Sequence, residues 1–456
     1  MTLRFLSFFL ASGLFLPPFG LSGQELAQPS PGSSGSISLP EAIELAQEYH
    51  PVIGEARAQR RVAAGVLGQA RASWLPSLYS DASIIRHQEP MLVAPLHGFD
   101  PTMAPDFDRS LVRGNLTVGF TLFEGGARRA RIDGAEAGEN SAAHGYEASR
   151  MNLAIQVSGA FLGVLTSVEL LDAASTRREA LEAEEVRVQQ FLSEGKAARV
   201  DLLRVQASLS QAEAVEISIR SQLDVARARL SRLTGLSPDQ VRDQGLADVA
   251  LKEPPMTDVS RARLRAREAS PDLGLARQRL AGAEAGVREA KAGWLPTVRV
   301  AGAYSEFGAL AGDHTQEWQG ALQFSYPLFT GGAREGERQR AVGEEQRASE
   351  ALRSIELAVD QEVEEAMASI VETQARVEAL ERAVEQAAEV ARIEALALEV
   401  GAGVQTEFLR AQSELFQSQA ALAEARHGGT MAVIQLVRVT GELTLAWVKE
   451  NMEVVR

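Results

Sequence analysis

Apolar and polar side chains alternate along two stretches of the chain. From Val112 the even positions Val112, Gly114, Leu116, Val118, Phe120 and Leu122 are apolar or small, while Arg113, Asn115, Thr117 and Thr121 are polar. That period of two belongs to a strand with two different faces. Further on, Trp318, Gly320, Leu322, Phe324, Tyr326 and Leu328 alternate with Gln319, Gln323 and Ser325, and Val298, Val300, Gly302 and Tyr304 with Thr297, Arg299 and Ser305. The pattern predicts two hairpins, at about 77–122 and 297–329. Each strand has roughly ten residues, the length at which a tilted strand crosses a bilayer.

The rest of the chain has a helical character. The segments before Trp74 and Trp294 are rich in Ala, Glu and Arg and are stopped by Pro76 and Pro296. After Gly125-Gly126 no proline occurs until Pro238, and after Gly331-Gly332 none occurs at all. Residues 127–193 number 67, which as one α-helix would extend about 100 Å. Gly195 and Gly401 interrupt these long helices as left-handed caps, and returning helices follow, giving helix hairpins at about 127–235 and 333–440. The uncharged run 151–168 is long enough to span a membrane. Its equivalent later in the chain carries Asp360, Glu362, Glu364 and Glu365, and equivalent helices share a solvent, so no span is expected there.

That equivalence comes from an internal repeat. Ala-Arg-Ala-Ser-Trp-Leu-Pro-Ser at 70–77 returns as Ala-Lys-Ala-Gly-Trp-Leu-Pro-Thr at 290–297, and Leu-Phe-Glu-Gly-Gly-Ala-Arg at 122–128 as Leu-Phe-Thr-Gly-Gly-Ala-Arg at 328–334. The offset falls from 220 to 206, so fourteen extra residues lie in the first repeat, in the proline-rich segment 87–108, which predicts an irregular loop. The expected organisation is a signal peptide at 1–23, a flexible segment at 24–37, a first repeat at 38–235, a linker at 236–258, a second repeat at 259–441 and a tail at 442–456. The signal assignment rests on Arg4, the apolar run 5–16, and the small residues Gly20, Ser22 and Gly23.

Composition narrows the function. Hydrophobic residues make up 45% but aromatics only 5%, which is thin for several compact cores and fits long helices. A formal charge of −15 argues against nucleic acid as a partner. The absence of cysteine removes disulfides, thiol nucleophiles and lipidation on an N-terminal cysteine. No HExxH, G-x-S-x-G or P-loop pattern occurs, so neither an enzyme nor a cofactor or metal site is expected. Four strands per chain cannot stand in lipid with open edges, and they are too few for a barrel, so several chains must contribute to one. The rival reading is an exported helical scaffold or adhesin whose hairpins pack on its own helices.

In its tandem repeat, its Trp-Leu-Pro strand entries, its Leu-Phe-x-Gly-Gly strand exits and its turns at Gly195 and Gly401, the chain resembles the TolC-like outer membrane efflux proteins. The resemblance runs from about residue 38 to 441. It implies a mainly α fold with a small β part, a trimeric channel-tunnel in which each chain gives four strands to a shared 12-stranded outer-membrane β-barrel and long helices to a periplasmic α-barrel. It further implies an exit duct for efflux or type I secretion, partnered by a periplasmic adaptor and an inner-membrane pump of RND or ABC type. Barrel insertion alone would then hold the chain in outer-membrane lipid. By the same resemblance, Gly195, Lys196, Asp201, Leu202, Gly401, Ala402, Glu407 and Phe408 form the tip that meets the adaptor. Val400-Gly401-Ala402 keeps the family's turn pattern, whereas Glu194-Gly195-Lys196 departs from it. Finally, Glu378, Glu381, Glu385 and Glu389 share one helix face, and if that face meets the lumen, Glu385 and Glu389 form an acidic ring.

Overall fold

The computed structural model describes residues 35–95, 102, 104–252 and 258–455. The signal segment, most of 24–37 and part of the 236–258 linker lie outside these. Two short-to-medium helices open the fold, α1 (Leu39–Tyr49) and α2 (Pro51–Ala72). They lead into β1 (Ser77–Leu92) and β2 (Phe107–Phe123), then the long α3 (Ala127–Ser193) and the returning α4 (Arg199–Thr234). After α5 (Pro238–Gln244) and β3 (Asp248–Leu251) the plan repeats as α6 (Val259–Ala269), α7 (Pro271–Ala292), β4 (Thr297–Ala309), β5 (His314–Ser325), α8 (Ala333–Glu399) and α9 (Gln405–Val439). The chain closes with α10 (Leu445–Asn451) and β6 (Met452–Val455). Both α3 and α8 have 67 residues, about 100 Å of helix each.

Four strands form one antiparallel sheet in the order β1-β2-β4-β5. Its register sorts side chains by face. Leu78 sits opposite Val118, Leu116 opposite Tyr304, Phe120 opposite Val300, Val300 opposite Leu322 and Tyr304 opposite Trp318, so one face is apolar across all four strands. On the other face Asp81 opposes Asn115, whose amide donates to the carboxylate at 2.6 Å, and Arg299 opposes Gln323.

The strands correct the expected lengths, reaching 16, 17, 13 and 12 residues rather than ten. Alternation fades at Gln88-Glu89-Pro90, yet pairing resumes beyond a register shift with Met91 opposite Asp108 and Leu92 opposite Phe107. An irregularity of this kind absorbs a proline without ending the hairpin, so the irregular loop of the first hairpin is shorter than 87–108. The second hairpin ends earlier than 329, at Ser325, because Pro327 has no N–H to continue the ladder.

The linker and tail also hold structure that the pattern does not announce. Ser237 and Gln240 form a reciprocal capping box that starts α5, and β3 pairs antiparallel with β6. The main core gathers where α1, α3, α4, α7 and α9 meet, around Leu39, Phe161, Leu230, Leu273 and Ile434. The uncharged run of α3 belongs to this core, with Val157 and Phe161 fully buried in protein.

The repeated motifs meet where strands become helices. Gly126 and Gly332 cap α3 and α8 at φ 92° and 87°, turning the chain sharply out of the sheet. Two residues on, Arg128 lies 4.6 Å from the Trp74 ring centroid and 5.2 Å from that of Phe120, and Arg334 lies 4.5 Å from Trp294. The Trp-Leu-Pro and Gly-Gly-Ala-Arg motifs are therefore two halves of one cation–π joint, used twice.

Candidate functional site

At the far end of each helix hairpin the chain reverses through a glycine-centred turn. Gly195 has φ 69° and Gly401 φ 75°, the left-handed conformation that ends a helix. Lys196 N–H donates to Phe191 O at 2.7 Å, while Ala402 and Gly403 N–H both donate to Ala397 O, at 2.9 and 2.8 Å. The carbonyls freed at the helix ends are thus satisfied within the turn. Asp201 and Glu407 stand in the first turns of α4 and α9, which lack a side-chain cap, so each carboxylate meets the positive end of a helix. Lys196 pairs with Glu194 at 2.7 Å, and Asp201 with Arg204 at 3.5 Å.

The eight expected tip residues do not share one environment. Gly195, Lys196, Gly401, Ala402 and Glu407 are exposed, and Asp201 and Leu202 are half-buried. Phe408 is buried, packed with Leu181, Leu209, Ala212 and Leu398, which corrects its place among surface contacts. Its apolar ring holds the two hairpins against each other. A second tie was not legible as a motif. Arg187 of α3 is held by Glu184 at 2.5 and 2.8 Å and donates to Leu398 O, in the last turn of α8, at 3.1 Å. The Glu-x-x-Arg spacing within α3 was its only sequence signal.

On α8 the acidic stripe divides. Glu381 reaches across to Arg426 of α9 at 2.9 Å, and Glu389 takes two bonds from Arg392, at 2.7 and 2.8 Å. The Arg392 guanidinium holds the Glu389 carboxyl below its ordinary range. Glu385 is exposed and has no ion pair among the described residues, so of the two expected ring members it carries the less compensated charge.

A long helical body joined to a four-stranded sheet with one apolar face defines a channel-tunnel protomer. The sequence profile described as "Outer membrane efflux protein" matches residues 42–236 and 263–442, and the chain belongs to that family. The family is one of passive outer-membrane channels, and this chain is an outer-membrane exit duct for efflux or type I secretion that extends into the periplasm. The scaffold reading falls away with that membership. Among relatives, it is 26% identical over 411 residues to Protein CyaE of Bordetella pertussis, with 88% of this chain and 84% of the relative covered. It is 22% identical over 422 residues to outer membrane efflux protein BepC of Brucella suis, covering 90% and 86%. Its fold matches VceC of Vibrio cholerae with a TM-score of 0.76 at 20% identity, over 88% of this chain and 96% of that one. The Campylobacter jejuni CmeC channel gives 0.77 at 16%, over 89% and 85%.

Proposed function

We propose that three copies close their sheets edge to edge into one twelve-stranded barrel and that the helix hairpins continue it as a periplasmic tube. The turns at Gly195 and Gly401 dock on a periplasmic adaptor, which connects the duct to an inner-membrane pump of RND or ABC type. The chain itself catalyses nothing and binds no cofactor, since the pump supplies the energy. One observation carries this reading: among the described residues β1 and β5 each pair on one side only, although one face of the sheet is apolar. In lipid each unpaired backbone group costs several kcal/mol, so β1 of one copy must meet β5 of the next. Four strands from each of three copies fall within the range of closed membrane barrels.

Light scattering of the purified protein in detergent should give three chains, and a mass of one chain refutes the closure. For the tip, cysteines at Lys196 and Ala402 are better probes than cysteines at the adjoining glycines, whose positive φ penalises any side chain. The chain has no native cysteine to interfere. Cross-links to the adaptor from these sites support docking at the turns. Cross-links confined to cysteines on the helix sides, far from either turn, refute it.

A further inference from the structure

Beneath β3 lies a cleft of about 680 Å³, bounded by α3, α8 and α9. Val249, Leu251, Ile370 and Val433 supply apolar walls, and Glu169, Asp248, Glu378, Arg426 and His427 supply the charged or titratable groups. His427 is only 7% exposed. Its hydrogen bonds fix its tautomer. Thr166 Oγ1 lies 2.9 Å from Leu162 O and 2.8 Å from His427 Nδ1. A hydroxyl has one proton and a carbonyl can only accept, so Thr166 donates to Leu162 O and His427 Nδ1–H donates to Thr166 Oγ1.

In the neutral ring this leaves Nε2 as a bare acceptor, 3.6 Å from Glu169 Oε1, which is also an acceptor. Two acceptors facing one another in a partly buried cleft call for a donor between them. No neighbouring cation fills that role. Arg426 is directed to Glu381 at 2.9 Å, and Asp248 accepts the Val249 N–H at 2.8 Å and has no ion pair among the described residues. Glu378, on the α8 side, has no ion pair among the described residues. The cleft therefore combines two facing acceptors, excess negative charge, and apolar walls with room for an organic body.

We propose that this cleft binds small amphipathic amines, the ammonium N–H groups donating to His427 Nε2 and the Glu169 carboxylate while the apolar part lies against Val249 and Leu251. The acidic groups favour the cation over neutral analogues of the same shape. A proton is the natural competitor, because protonation at Nε2 converts the acceptor into a donor that meets Glu169 directly. Burial disfavours that protonation, Glu169 and Asp248 favour it, and Arg426 opposes it, so the ring is neutral and open to the ligand at neutral pH.

The test uses the purified full-length protein in detergent and 19F NMR titration of 4-(trifluoromethyl)phenethylamine, with 4-(trifluoromethyl)phenethyl alcohol as the neutral control. The amine should bind saturably at pH about 7.5, and the alcohol at least about tenfold more weakly, the loss expected for a charge-assisted hydrogen bond. Glu169→Gln and His427→Gln should each weaken the amine by about the same factor, and acidification that protonates the ring should weaken it in the wild-type protein. The Glu169 side chain is 43% exposed, so its isosteric amide leaves the fold intact even if the buried histidine variant does not. Equal affinity for amine and alcohol, no saturable binding, or an amine isotherm unchanged by Glu169→Gln overturns the assignment.

Discussion

Arg128 shows how much one side chain can settle in this protein. It is 5% exposed, stacks on Trp74 and Phe120, pairs with Glu124 at 3.2 Å and donates to the carbonyl of Thr121. Lysine keeps the charge but cannot stack as a plane or fork its donors. Arg128→Lys should lower stability by about 1–2 kcal/mol in denaturant titrations. Arg334→Lys should cost less, since Arg334 has Trp294 but weaker bonds, at 3.4 Å to both Thr330 and Leu328. His427 gives the residue scale its pH dependence. Burial is the largest influence and depresses the ring's proton affinity below its ordinary value of 6.5, with Glu169 and Asp248 partly offsetting it. The unfolded chain then takes up the proton first, so the neutral ring's contribution is complete above the unfolded value and is lost as pH falls through the folded one. Melting temperature should therefore fall more steeply below pH 6.5 in the wild-type protein than in His427→Gln. Parallel slopes would show that His427 does not govern the acid limb.

At the scale of the element, the sheet has an inside and an outside. Leu322 lies opposite Val300 on the apolar face, so Leu322→Arg places a charge in lipid and should cost about 2–4 kcal/mol and impair insertion. Thr117→Arg, opposite Ala303 on the polar face, should insert normally. Gln323 is a poorer control than its polarity suggests, because an arginine there would oppose Arg299 directly. Equal insertion of Leu322→Arg and Thr117→Arg, read by outer-membrane fractionation, would reverse the assignment of faces. The sequence made these faces legible because side-chain alternation is a local signal, as are proline-free helices and glycine turns. Pairing is not local. The four-residue β3 and β6 are about 200 positions apart and carry no alternation long enough to register. The extension of β1 past Pro90 likewise depends on a partner strand that composition cannot show. At the tip, the turns at Gly195 and Gly401 were legible from cap chemistry, whereas burial of Phe408 depends on how the second hairpin leans on the first.

For the whole molecule, the effect of the acidic stripe on permeating ions depends on which surface of the tube it meets. The structure separates its members before any assembly is considered. Glu381 is tied to Arg426 and Glu389 to Arg392, each pair nearly neutral at a distance, so Glu385 is the member of the expected ring whose charge reaches solvent uncompensated. Threefold repetition around a narrow pore with low-dielectric walls would triple its field at one level of the duct, which favours cations. Glu385→Gln should then lower cation-over-anion selectivity in planar-bilayer recordings and weaken block by multivalent cations. Glu389→Gln should act in the same direction. It turns the neutral Glu389–Arg392 pair into a lone cation, the same change of one charge, so its effect on reversal potential should match that of Glu385→Gln if this face lines the pore. Reversal potentials unchanged in both variants would put the stripe on the outer wall of the tube, where screening leaves such charges little influence on the permeating ions.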